Sequence, residues 1–111
     1  MAADRILGEL EQTVMLAILR IDAGAYGVQI REEILLCTGR VIAPGALYTT
    51  LERLEKKGFV HFSSADPTPE RGGRAKNIYR VTDLGRSHLA AAQANFKRLM
   101  QGLELLGGTD A

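Results

Sequence analysis

Pro44-Gly45-Ala46-Leu47-Tyr48-Thr49-Thr50-Leu51-Glu52-Arg53-Leu54-Glu55-Lys56-Lys57-Gly58 has the clearest boundaries in the chain. Proline lacks an N–H that the first turn of a helix does not use. Gly58 closes the stretch behind Lys56 and Lys57, whose charge suits the C-terminal end of a helix dipole. The pattern predicts a helix over 44–57. Ala43, at the N-cap, offers no side-chain acceptor, which forfeits about 1 kcal/mol relative to Ser or Thr. At 3.6 residues per turn Leu47, Leu51 and Leu54 share one side, Gly45, Thr49, Arg53 and Lys56 lie opposite, and Tyr48 and Thr50 flank them. The outer side is basic and rich in hydrogen-bonding groups. An α-helix fits the major groove of B-DNA, arginine bonds bidentately to a guanine edge, and threonine reaches bases or phosphates. Gly45 lets a backbone approach closely, and the first turn, from Pro44, presents free N–H groups to a phosphate. By itself the same face also fits a solvated helix whose cations pair with nearby acids. Tyr48 has two readings, packing beside the helix or holding a phosphate.

Working outward, the segment 7–21 places Leu7, Leu10, Val14, Ile18 and Ile21 on one helical stripe, with Met15, Leu16 and Leu19 on the other sides. Its second half is apolar all round, and a partner chain is the simplest cover for the side that a small domain leaves bare. A second, short helix is expected over 26–37, with Ile30, Ile34 and Cys37 on its inner face and Gly39 at its end. After Gly58, β-branched and aromatic residues mark strands over 59–64 and 77–81, joined by a basic tip carrying Arg71, Gly72, Gly73, Arg74 and Lys76. Thr82 caps a last helix, with Asp83 in its first turn, that is expected to run to about residue 106 and span roughly 36 Å. Leu89, Ala92, Phe96, Leu99, Leu103 and Leu106 recur at alternating spacings of three and four, a heptad seam. With Met15, Leu16 and Leu19, this seam predicts a homodimer, the other reading being a long helix lying on its own core.

With 111 residues, 46% hydrophobic and 24% charged, the composition is that of one compact domain. The longest apolar run, Val14 to Leu19, is closed by Arg20 and is far short of the roughly 18 residues of a membrane span. The first residues carry an acid and no separate apolar core, so no secretory signal is expected and the cytoplasm is the expected compartment. One cysteine and two histidines, Cys37, His61 and His88, give no ligand spacing for a metal, and no internal disulfide. The two histidines read as solvated or hydrogen-bonded, and Cys37 as a small core residue rather than a redox sensor. No nucleophile with a base and orienter, no phosphate-cradling glycine loop and no carboxylate pair points to catalysis. Neither an enzyme nor a cofactor is expected. Net charge is +1, but eight bases against four acids put +4 between Arg40 and Arg80, leaving −3 for the remainder. A basic centre between acidic flanks fits a local polyanion-binding surface, and equally a solvated face.

Helix, helix, recognition helix, basic hairpin and long closing helix describe a winged helix-turn-helix, mainly α with one small hairpin. The residues also reach a family resemblance. Leu-Gly-Glu-Leu-Glu at 7–11, Ala-Tyr-Gly at 25–27, the stretch 44–58 quoted above, Pro-Glu-Arg-Gly-Gly-Arg at 69–74 and Tyr-Arg-Val-Thr-Asp-Leu-Gly at 79–85 together resemble PadR-type transcriptional regulators. The resemblance implies a DNA-binding regulator, usually a repressor, that dimerises through its C-terminal helix and is released from DNA by a small molecule. It puts Tyr48, Thr49, Thr50 and Arg53 on the recognition helix and Arg71, Arg74 and Lys76 on the wing. Two departures stand out. Position 43, often Ser or Thr in the family, is Ala43, and the sequence ends after one C-terminal helix, as in the short subgroup. Some short members bind flat aromatic drugs between paired tryptophans; this chain has no Trp, and Phe96 is the nearest substitute, as well as a seam residue.

The expectation is therefore a winged helix-turn-helix domain over 1–82 and a dimerisation helix with a short tail over 83–111. Helix 44–57 and wing 65–76 would bind double-stranded DNA at a pseudo-palindromic operator, with a small apolar or aromatic effector at the dimer interface. The alternative from another class is a winged helix used only for protein interaction or dimerisation.

Overall fold

The computed structural model describes residues 7–64 and 77–105. Helices α1 (Glu9–Ile21), α2 (Gly27–Thr38) and α3 (Pro44–Lys56) are followed by strands β1 (Val60–Ser64) and β2 (Asn77–Val81), and then by α4 (Asp83–Met100). This is a winged helix, mainly helical with one antiparallel hairpin in which Val60 faces Val81, Phe62 faces Tyr79 and Ser64 faces Asn77.

The core gathers one face from each element. Val14, Met15 and Ile18 of α1, Ile30 and Ile34 of α2, Leu47, Leu51 and Leu54 of α3, and Phe59, Val60 and Tyr79 of the hairpin are all buried, and α4 adds Leu89. An extra backbone pairing, absent from the sequence reading, joins the α1–α2 turn to the hairpin. Ala25 N–H donates to Tyr79 O at 3.0 Å, and Tyr79 N–H donates to Ala25 O at 2.8 Å. Two polar ties join α1 to α3 and α4. Lys57 Nζ lies 2.8 and 3.0 Å from the Glu11 carboxylate, locking the end of α3 to the start of α1. Gln93 Nε2 donates to Gln12 Oε1 at 2.7 Å, holding α4 against α1.

Helix ends follow local chemistry, with two corrections. Helix α1 starts at Glu9 rather than at residue 7, because Gly8 is extended and its N–H donates to Glu11 Oε1 at 2.8 Å, half of a capping box. Helix α4 stops at Met100, well short of 106. Gln101 is extended, Gly102 takes φ 83°, and Leu103 N–H returns to Met100 O at 3.0 Å. A glycine in the left-handed region ends a helix at little conformational cost. Leu103 is thus off the helix, and Leu106 lies outside the described residues. The start of α4 matches expectation: Thr82 Oγ1 accepts from Gly85 N–H at 3.0 Å and donates to Gly58 O at 2.7 Å. Gly85 is buried where α4 crosses the chain, and a Cβ there would meet the Phe59 backbone at 3.0 Å or closer.

Cys37 is also corrected. It is exposed, with Sγ 3.5 Å from Glu33 Oε2, because the last turn of α2 projects past the core and leaves Leu35 and Leu36 bare as well.

Candidate nucleic-acid interface

Helix α3 begins at Pro44 behind an extended Ala43 that makes no side-chain cap, so its first-turn donors face solvent. Its three leucines are fully or almost fully buried, which leaves Pro44, Gly45, Tyr48, Thr49, Glu52, Arg53 and Lys56 exposed. Gly45 has nothing within 4 Å of where a Cβ would stand, so that end of the helix is open to a close approach. Thr50 departs from the expectation. It is 5% exposed and its hydroxyl donates to Ala46 O at 2.8 Å, so it is spent on the helix's own backbone. At 300° from Leu47 on the wheel it lies on the buried side, a position the flanking assignment blurred.

Cations divide into committed and free. Lys57 bonds to Glu11, Arg40 lies 3.7 Å from Glu9, and Arg80 Nη2 reaches Ala23 O at 3.3 Å. Among the described residues Arg53 and Lys56 make no ion pair, so α3 presents two uncommitted cations beside Thr49. The wing residues Arg71, Gly72, Gly73, Arg74 and Lys76 lie outside the described residues. The ladder delivers the chain to that segment at the Ser64–Asn77 pair.

Glu52, which sequence reading counted only as a charge, is exposed on the same side of α3, one turn from Thr49 and Lys56. The helical wheel carries that signal: 52 follows 49 by three and precedes 56 by four. At the other flank, Tyr48 is 47% exposed and its ring lies over Gly27 at the start of α2. Tyr79, behind it, has its phenol pushed above the ordinary value, first by burial and then by the neighbouring Tyr48 and Glu55.

The second surface is apolar. Phe96, Leu99 and Met100 of α4, then Leu103 and Leu105, are exposed, as is Leu16 on α1. An open cleft of about 370 Å³ runs between Leu7, Gln12, His88, Ala92, Phe96 and Leu99. Met15 and Leu89, which sequence reading assigned to an intermolecular seam, are 0% and 4% exposed in the protomer's own core. The reason is that α1 runs through the middle of the domain, touching α2, α3, β2 and α4. Leu19 and Ala92 are half-buried. His88 stacks on Phe59 with ring centroids 4.6 Å apart, and His61 is exposed opposite Arg80. No group of three His, Cys, Asp or Glu side chains among the described residues is arranged to hold a metal.

A family model described as the transcriptional regulator PadR-like family matches residues 15–91, from the second half of α1 through the first half of α4. The chain belongs to the PadR-like family of transcriptional regulators. A transcriptional regulator of Mycobacterium tuberculosis, Rv3488, is 36% identical over 70 residues, covering 63% of this chain and 60% of that protein. An uncharacterized protein of Lysinibacillus sphaericus is 30% identical over 105 residues, 93% of this chain and 92% of its own length. The crystal structure of a PadR family transcriptional regulator from Eggerthella lenta superposes with a TM-score of 0.67 at 28% identity, covering 92% of this chain and 88% of the other. PadR-like proteins are regulators of transcription and not enzymes. None of the described helices of this PadR-like chain is long and apolar enough to cross a membrane.

Proposed function

We propose that this PadR-like regulator acts as a homodimeric repressor. Residues 1–82 read DNA and 83–111 join the two protomers. Two α3 helices would enter major-groove half-sites about 34 Å apart on a pseudo-palindromic operator. Arg53 reads a base edge, Thr49, Tyr48 and Lys56 hold the backbone around it, and the first turn from Pro44 and Gly45 receives a phosphate. Arg71, Arg74 and Lys76 of the wing, with Gly72 and Gly73 beside them, add phosphate contacts. The observation that supports this reading most is the division of α3 into a buried leucine side and an outer side whose Arg53 and Lys56 make no ion pair among the described residues.

Dimerisation uses the exposed Leu16, Phe96, Leu99 and Leu103, the half-buried Leu19 and Ala92, and Leu106, which leaves Met15 and Leu89 to the protomer core. The cleft beside Phe96 favours a second element of the reading. An apolar or aromatic effector bound there would change how the two α4 helices cross, and so the separation of the two α3 helices.

Fluorescence anisotropy on a duplex from the promoter of its own gene and on a random duplex of equal length, across a salt series, tests this function. Promoter-selective binding is expected, with a slope of log K against log salt of about −5 to −7 for roughly six to eight phosphates. Absence of binding to either duplex at low salt would turn the reading to a protein-interaction module.

A further inference from the structure

Tyr48 leaves the flank of α3 and crosses to the first turn of α2, where Gly27 is buried beneath its ring. A Cβ on Gly27 would stand 2.8 Å from Tyr48 Cζ and 3.2 Å from Cε1, with the phenol oxygen nearer still. Helix α2 opens normally at this point: Tyr26 is extended, its N–H bonds Gln29 Oε1 at 2.9 Å, and Gly27 is an ordinary first helical residue. Any L-residue could adopt that backbone, and Ala would favour the helix more. Glycine here supplies room rather than conformational freedom.

Three elements meet at the same corner. Ala25, two residues before Gly27, is paired to Tyr79 of β2 by both backbone hydrogen bonds. Tyr48 lies close enough to Tyr79 to help raise its phenol, behind the larger effect of burial. The Tyr48 ring therefore sits where α3, the start of α2 and the root of the wing converge, with nearly half of its side chain open to solvent. We propose that Gly27 is a positioning residue for DNA recognition: its missing side chain seats the Tyr48 ring across α2, and the seated ring places Tyr48 on the DNA backbone between α3 and the wing. This rests on the DNA-reading function above.

A methyl group at 27 displaces the ring. Because Tyr48 is half exposed, rotation about χ1 carries the ring into solvent at small cost to the fold, while the DNA contact is lost. The test is a double-mutant cycle read by anisotropy on the own-promoter duplex, with melting temperature and dimer mass measured alongside. Gly27→Ala and Tyr48→Ala are each expected to weaken binding about ten-fold, with folding and dimer mass retained. The double variant is expected to bind no more weakly than Tyr48→Ala alone, since the methyl then has no ring to displace. That coupling is not what a residue important only for the stability of α2 would show. Unchanged binding by Gly27→Ala, or an equal loss on adding it to Tyr48→Ala, overturns the proposal. Should Gly27→Ala fail to fold, Tyr48→Ala and the double variant carry the test, and a further loss in the double variant overturns it. Wild-type protein without promoter-selective binding would overturn the DNA-reading function itself, whereas selective wild-type binding with an insensitive Gly27→Ala rejects this inference alone.

Discussion

Every leucine of α3 is buried in the protomer, whereas α4 buries Leu89 and leaves Phe96, Leu99 and Met100 in solvent. Both helices carry the periodicity of an amphipathic segment. The difference lies in what their own chain places beside them. Helix α3 lies against α1, α2 and β1, so its apolar side is consumed and its charged side is the one on offer. Helix α4 meets α1 around Gln12 and Gln93 and then continues past it, because α1 begins at Glu9. The first surface suits a charged, hydrated partner, and the second suits an apolar one. An apolar stripe in a sequence therefore reports that something covers it, and not which chain the cover comes from.

The largest effect that would break this contrast is on stability. Leu51→Ala empties a buried site beneath α3 and is expected to cost about 2–5 kcal/mol, read by chemical denaturation. A loss near zero would mean that α3 is not held by its own core. On α4, Leu99→Ala is expected to leave protomer secondary structure unchanged and to shift the monomer–dimer equilibrium toward monomer, measured by sedimentation. An unchanged equilibrium would exclude this face from the interface. Next in size, Gly85→Ala forces a methyl group against the Phe59 backbone and is expected to cost about 1–3 kcal/mol. The apolar-free side of α3 is sharpened by a pair of variants. Arg53→Ala should lose about 1–3 kcal/mol of discrimination between promoter and random DNA, while Arg74→Ala should weaken both alike and reduce the salt slope by about 1. Equal losses for both would merge base reading with phosphate binding.

The smallest effect concerns pH. The Tyr79 phenol is raised above its ordinary value of 10.0 by burial, so the folded state resists its ionisation. Its contribution is fully present below that value and is lost as pH rises through the folded-state pKa, because the unfolded chain releases the proton first. Tyr79→Phe should flatten the alkaline decline in stability, as denaturant titrations from neutral pH to above pH 10 would show. An identical decline in the variant would assign it to other groups.

The bounds of α3 could be read because Pro44 and Gly58 act through their own covalent geometry, and the cap of α4 because Thr82 needs only the next three residues. Gly102 is an equally local stop signal, and the leucines at heptad spacing on either side of it mask it. The hydroxyl of Thr50, on a helix flank, is ambiguous until the neighbouring segments show which side is inward. Met15 and Leu16 are adjacent and both apolar, yet one is 0% and the other 41% exposed, a distinction that depends on where α2, α3 and β2 lie. The pairing of Ala25 with Tyr79 and the contact of Gly27 with Tyr48 had no local signal at all, as each joins residues far apart in the chain.

The sequence by itself determined the order of elements, the helix and strand types and the basic outer face of α3. These follow from side-chain periodicity and from the backbone chemistry of proline, glycine and capping hydroxyls, which act over one or two turns. Only the tertiary structure decided which apolar residues are consumed by the protomer, which cations stay uncommitted and where the Tyr48 ring rests. Those outcomes depend on contacts between segments brought together by burial of a shared core, and a stripe of leucines carries no record of its partner.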